Sequence, residues 1–142
     1  MSPGHIQALQ AFLDAIPFNV LLGMRVIALE PGFAKLEQPF RAELIGDMRR
    51  PALHGGVISA LLDTAGGAAL FSQVGPKDTL STVDLRVDYL RPGLCEPLYV
   101  EARVLRLGNK IGVADMLAYQ STGRETPIAT GRGVYSVLRR DE

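Results

Sequence analysis

Cysteine is almost absent from this chain, and so are the residues that usually build metal sites. Cys95 stands alone, and His5 and His54 are the only histidines. A single cysteine forms no disulfide framework and no cysteine-based metal site, and two histidines give too few ligands for metal-assisted catalysis. No metal and no separate cofactor is therefore expected. An excess of charge of either sign is missing too: 15 basic and 15 acidic side chains give a formal net charge of +0. Nothing electrostatic draws such a chain to nucleic acid or to an anionic membrane. The opening stretch, MSPGHIQALQAFLDAIPF, has no basic start and no long apolar run, so it does not read as a signal peptide. No segment approaches the ~18 uninterrupted apolar residues of a membrane span. These absences point to a soluble, cytoplasmic protein with no nucleic-acid and no membrane partner.

What remains is an ordinary globular composition. The chain has 142 residues, 47% of them hydrophobic and 21% charged, which suits one domain with one core. Near-zero net charge is better tolerated by a stable oligomer than by a monomer. His5 to Ile16 places Ile6, Leu9, Phe12, Leu13 and Ile16 at helical spacing. Pro17 ends that helix, and FNVLLG adds a short turn stopped by Gly23. An N-terminal helical segment over 1–22 thus precedes a main body over 23–142, the two forming a single domain.

Within the main body, MRVIALE (24–30) and FAKLEQPF (33–40) are separated by Pro31-Gly32, a hairpin break. RAELIGDMRRPA reads as a polar loop. Beyond Gly75-Pro76 the pattern turns to strands. TVDLRVDYL alternates, with Val83, Leu85, Val87 and Tyr89 on one face and Thr82, Asp84, Arg86 and Asp88 on the other. LYVEARVLRLG, IGVADMLAYQS and PIATGRGVYSVL give three more strands. Helix, two strands, one long helix and four strands, joined by short turns, require a mostly antiparallel sheet. The expected fold class is α+β: a six-stranded sheet wrapped around one central helix, with an N-terminal helix outside it.

The central helix is unusual. LHGGVISALLDTAGGAAL (53–70) opens on a histidine and two glycines, carries an aspartate at its middle, and has two more glycines beyond it. On a wheel at ~100° per residue, Val57, Ile58, Leu61, Ala65, Ala68 and Ala69 form a face for the sheet. Gly56, Ser59, Gly66, Gly67 and Leu70 fall on the side of Asp63. Each interior glycine costs about 1 kcal/mol relative to alanine, so a face kept this small lets a backbone or a ligand approach. A lone helical aspartate is ordinarily a solvated polar position, and His54 could simply bond its own loop. Gly55 and Gly56 could be no more than a tight helix entry, or their N–H groups could polarise an anionic or carbonyl oxygen.

The combination is more specific than its parts. HGGVISALLD, with RAELIG before it and STVDLRVDYLRPG after it, resembles the hotdog-fold acyl-CoA thioesterases of the phenylacetyl-CoA thioesterase-like branch. The resemblance covers residues 23 to 138 and implies a sheet wrapped round one helix. It implies Asp63 as the catalytic carboxylate, acting as general base on water or as nucleophile. It implies Gly55 and Gly56 as backbone donors to the thioester carbonyl, His54 as the residue shaping that loop, and Thr82 as a hydroxyl near the nucleophile. Ser59, Gly66 and Gly67 would border the substrate. Where relatives carry Asn seven residues before the histidine, this chain has Asp47, which lacks the amide's donor hydrogens. A second carboxylate near the site would push one pKa upward, and Arg49 and Arg50 are placed to neutralise it.

A thioester hydrolase needs an oxyanion donor and an activated water or carboxylate, and coenzyme A enters only as part of the substrate. Its phosphates need cations, for which Arg91 in LRPG and Lys110 in LGNK are candidates at strand ends, each equally readable as plain surface charge. A serine hydrolase would want G-x-S-x-G on a strand-to-helix elbow, which Ser59 in GVISALL does not provide. Cys95 reads as inert packing. An acyl-thioester hydratase or dehydratase recasting His54 and Asp63, and a non-catalytic acyl-CoA sensor, are the alternatives on the same fold. Leu70, Phe71 and the amino-terminal helix are candidates for the distal wall of the acyl groove. Relatives form two-fold dimers, often doubled to tetramers, so the resemblance implies a homodimer or homotetramer with active sites at the dimer interface.

Overall fold

The computed structural model describes residues 3–140. The chain begins with α1 (Pro3–Asp14) and α2 (Pro17–Leu22), followed by β1 (Arg25–Glu30), β2 (Phe33–Gln38), β3 (Ile45–Asp47) and β4 (Ala52–Leu53). The central helix α3 (Gly55–Phe71) comes next, then β5 (Thr79–Tyr89), β6 (Leu98–Leu107), β7 (Ile111–Tyr119) and β8 (Ala129–Leu138). Six strands form one sheet in the order β1-β2-β6-β7-β8-β5, and every neighbouring pair in it is antiparallel. This is the hotdog layout that the element order required. No helix among the described residues is long and apolar enough to cross a membrane.

The sheet can close on α3 because its inward positions are small or flat. Ala34, Ala102, Ala114, Ala118 and Ala129 are fully buried, and with Leu36, Val100 and Met116 they belong to the same core as the helix. Into that bed α3 sets Leu61, Leu62 and Leu70, all without exposed surface, each contributing about 2 kcal/mol of apolar burial. The first helix joins the same core through Leu9 and Leu13. Its Gln10 amide receives the N–H of Val26 at 2.7 Å and donates to the carbonyl of Met24 at 3.2 Å. That side chain stands in for a strand along the free edge of β1. Phe12 stacks on Phe71 with ring centroids 5.5 Å apart, tying α1 to the end of α3. Gly23, at φ 78°, closes α2 with its N–H on the Asn19 carbonyl.

Four details depart from the sequence reading. The polar loop before α3 is partly regular: a 3-10 turn over Ala42–Leu44 leads into the short β3–β4 hairpin. The N–H of His54 bonds the Leu44 carbonyl at 2.8 Å and that of Leu53 bonds Gly93 at 3.0 Å, so this loop is anchored where the helix starts. Strict alternation along β5 fails at Val83, where the pairing with β8 slips between Thr82 and Asp84. Gly66 and Leu70, placed on the Asp63 side by the wheel, are both buried. A sheet that wraps the helix covers more of its circumference than a flat one would. Cys95, expected to pack, is exposed in the connection from β5 to β6.

Candidate active site

The start of α3 is built by three side chains lying over two glycines. His54 is the N-cap, and its Nδ1 accepts the N–H of Gly56 at 2.8 Å. A Cβ on Gly56 would sit 2.9 Å from that nitrogen, so any other residue there would make the imidazole shift. A neutral imidazole accepting at Nδ1 carries its proton on Nε2. The ring of Tyr89 covers Gly55, and its hydroxyl donates to the Gly55 carbonyl at 3.1 Å. The Ser59 hydroxyl lies 3.1 Å from the same carbonyl and bonds the Tyr89 hydroxyl, so with Tyr89 donating to the carbonyl it is Ser59 that donates to Tyr89. The N–H of Gly55 meets no acceptor among the described residues. It is the first residue of a 17-residue helix, where the free donors and the positive end of the dipole coincide.

Asp63 lies two turns further on, half-buried. Thr82 donates to its Oδ1 at 2.8 Å. The bulge at Val83 makes this possible: it re-phases β5 so that Thr82 faces the helix together with Leu85, Val87 and Tyr89, while Val83 is 61% exposed. From β8, the buried Tyr135 donates to the Asp63 main-chain carbonyl at 2.8 Å. Burial, followed by the neighbouring Asp63 charge, pushes the Tyr135 hydroxyl well above the usual phenol range.

The remaining expected residues spread more widely. Asp47 ends β3, where its Oδ1 accepts the Arg49 N–H at 3.0 Å and faces the Arg49 guanidinium at 3.4 Å. Those Arg49 bonds, the backbone one first, hold its carboxyl below the usual carboxylate range. The upward push of a second carboxylate therefore does not fall on Asp47. Gly66 faces Tyr135 and Met116 inside the core, where a Cβ would collide with the Tyr135 hydroxyl. Its small size admits that tyrosine, not a ligand. Gly67 is half-buried and 3.7 Å from the Tyr135 ring by the same measure. Arg91 donates to the Pro127 carbonyl at 2.6 Å, beyond the end of β5. Lys110 is exposed in the β6–β7 turn beside Gly112, which packs on Leu70 at the far end of the helix. One chain does not bring Arg91 and Lys110 together.

Two residues at this site were not singled out from the sequence. Tyr89 stands on the apolar face of β5 and Tyr135 within the β8 pattern. A tyrosine among alternating apolar residues looks like core, and its hydroxyl's partner lies on another element. The one available signal was the glycine content of α3, which asks what approaches so closely.

Residues 51–127, from the β3–β4 hairpin through the approach to β8, match the family model of the thioesterase superfamily. Among curated relatives, the medium/long-chain acyl-CoA thioesterase YigI of Escherichia coli is 37% identical over 118 residues, covering 74% of this chain and 76% of that protein. Among solved structures, a thioesterase family protein from Silicibacter pomeroyi superposes with a TM-score of 0.83 at 29% identity, covering 94% of this chain and 98% of that one. The PaaI protein of the E. coli phenylacetic acid degradation operon superposes with a TM-score of 0.82 at 25% identity, covering 95% and 94%. The matched segment contains the capped start of α3, Asp63 and Thr82, and the fold around them is shared almost end to end: the chain belongs to the thioesterase superfamily and has its hotdog fold.

Proposed function

We propose that this protein hydrolyses acyl-CoA thioesters, with Asp63 as the catalytic carboxylate and the Gly55 N–H as the donor to the thioester carbonyl. The observation that carries this is the pairing of an unoccupied N–H at the start of α3 with a carboxylate oriented by Thr82. Of the two glycines expected to donate, Gly56 has its N–H committed to His54, which leaves Gly55. An oxyanion donor of this kind contributes roughly 10²–10³ in rate. Asp63 then either takes a proton from the attacking water or adds to the carbonyl itself, forming an anhydride that water opens. In both routes the thioester C–S bond breaks and the thiolate of coenzyme A leaves, taking up a proton. Label found in Asp63 after single turnover in oxygen-isotope-labelled water identifies the second route, with water opening the anhydride at the Asp63 carbonyl. The hydratase alternative loses ground at His54: with Nδ1 accepting and Nε2 protonated, the imidazole has no free lone pair with which to act as base.

The site is incomplete in one chain. Gly55 and Asp63 are eight residues apart on the same helix, about 12 Å along its axis. A reacting carbonyl must lie about 3 Å from both its oxyanion donor and its attacking group. A second copy running antiparallel brings its Gly55 opposite the first chain's Asp63 and closes that gap. The free edge of β5, where Val83, Tyr89 and Leu90 are at least half exposed, is the surface suited to such a partner. A homodimer, alone or doubled to a tetramer, is thus part of the reading. The functional test is release of free thiol from a panel of aryl, short-chain and long-chain acyl-CoAs. Turnover of at least one class, abolished by Asp63→Asn, supports the proposal; an inert wild type overturns it.

A further inference from the structure

Tyr135 makes an unusual contact for a core side chain. Its hydroxyl donates to the main-chain carbonyl of Asp63, which in a regular helix belongs to the N–H of Gly67, four residues on. A carbonyl oxygen has two lone pairs and can take both donors. A side chain from the sheet therefore enters the helical hydrogen-bond ladder, and it does so at the residue whose carboxylate Thr82 holds. Room for it comes from glycine on both elements. A Cβ at Gly66 would collide with the hydroxyl, and one at Gly133, two residues before Tyr135 on β8, would lie 2.6 Å from it. Packing alone would favour alanine at 66 with phenylalanine at 135, because an interior helical glycine is costly. The chain keeps the glycine and the hydroxyl.

Thr82 and Tyr135 are register partners across β5 and β8. We propose that Tyr135 is a positioning residue for the hydrolysis, clamping Asp63 from its main-chain carbonyl while Thr82 holds its carboxylate. This rests on the reaction proposed above. Two adjacent strand positions thereby fix one helical residue at both ends, and the carboxylate neither rotates about its side chain nor drifts with the helix. The phenol is held protonated by its burial, so it acts as a donor to Asp63 and takes no part in proton transfer. Displacement of a reacting group by about 1 Å costs up to ~10²-fold in rate, which is the scale on which such a clamp matters.

Three variants test this with thiol release and thermal unfolding measured side by side: Tyr135→Phe, Gly66→Ala, and the double variant. Tyr135→Phe should lower kcat about ten- to a hundredfold with KM within about twofold. Gly66→Ala should lower both Tm and kcat, since the new methyl meets the hydroxyl. In the double variant the methyl takes the place of the missing oxygen, so Tm should recover while kcat stays low. A purely structural tyrosine would behave otherwise, with kcat returning alongside Tm. That result, or an unchanged kcat in Tyr135→Phe, overturns the positioning role. A wild type that releases no thiol from any acyl-CoA overturns the hydrolytic reading, and this role with it.

Discussion

Thr82 donates a 2.8 Å hydrogen bond to Asp63 although plain alternation along β5 turns it to the opposite face from Leu85 and Val87. The single extra residue at Val83 reverses the phase of the strand, so a polar side chain joins the helix-facing row where the helix presents its carboxylate. A bulge beside a reacting group is a device for aiming a side chain. Removing the donor without changing its shape isolates it: Thr82→Val should lower kcat about tenfold, the scale of one hydrogen bond to a charged group, whereas Thr82→Ser should stay close to wild type. Asp63→Asn should keep the fold and lower kcat at least about a hundredfold, as loss of a base or nucleophile does. Steady-state thiol release with circular-dichroism melts checks both, and wild-type turnover in Asp63→Asn would end the assignment.

The fold was legible because period and punctuation agree. Pro17, Gly23, Pro31-Gly32 and Gly75-Pro76 fall at element boundaries, and the strand patterns between them are long. The Thr82–Asp63 contact was legible only through resemblance, since alternation without the bulge points Thr82 away. Gly66 was misassigned for a related reason. A wheel divides a helix into two halves, but a curved sheet covers more than half of α3, so Gly66 and Leu70 are buried. The role of Tyr135 depends on a partner 72 residues away in the chain, and no local pattern encodes that distance.

His54 supplies a second prediction, on stability. Among the described residues, its Nδ1 is the one side-chain acceptor that caps the start of α3. His54→Ala should therefore cost about 1 kcal/mol, the usual worth of an N-cap side chain, while His54→Asn, which keeps an acceptor, should recover most of it. Denaturant unfolding reads the difference. Equal destabilisation by both variants would show that the ring's packing matters and its nitrogen does not.

The Arg49 backbone N–H first, then its side chain, hold the Asp47 carboxyl below the usual carboxylate range. An amide in its place would add a donor that the carboxylate lacks. Asp47→Asn should preserve or raise kcat and shift the acidic limb of the pH–rate profile. Complete loss of activity would show that the carboxylate is needed in its own right.

Acid sensitivity of the fold should trace in part to Asp78. Its carboxylate accepts the N–H groups of Arg140 at 2.9 Å and Gly75 at 2.8 Å and faces Arg139 at 3.3 Å. The Arg140 N–H first, then that of Gly75, hold its pKa below the ordinary carboxylate value. A depressed folded pKa contributes stability above the unfolded value and loses it as pH falls through the folded one. The Tm of the wild type should therefore fall more steeply on acidification through the carboxylate range than that of Asp78→Asn. Parallel curves would remove Asp78 from the account.

Subunit complementation tests the shared site directly. In the proposed reading a second chain closes the Gly55–Asp63 separation along one helix, and a two-fold interface then creates two equivalent sites. Asp63→Asn inactivates through the carboxylate. Gly55→Pro inactivates through the donor, and proline suits the first helical position because the N–H it removes has no helical partner. Its ring must fit beside the half-exposed Tyr89, which a Cβ at position 55 would approach to 3.3 Å, so circular dichroism of Gly55→Pro must first show that it folds. When equal amounts of the two inactive proteins are dissociated and reassociated, half the dimers should be mixed. Each mixed dimer has one site made of two damaged halves and one made of two intact halves. Activity should return to about a quarter of wild type by that symmetry count. If both variants refold and exchange subunits, as mass spectrometry of differently tagged chains would report, and no activity returns, each site lies within a single chain. The separation of Gly55 from Asp63 would then have to be bridged by movement of the helix start, and the antiparallel arrangement would be wrong.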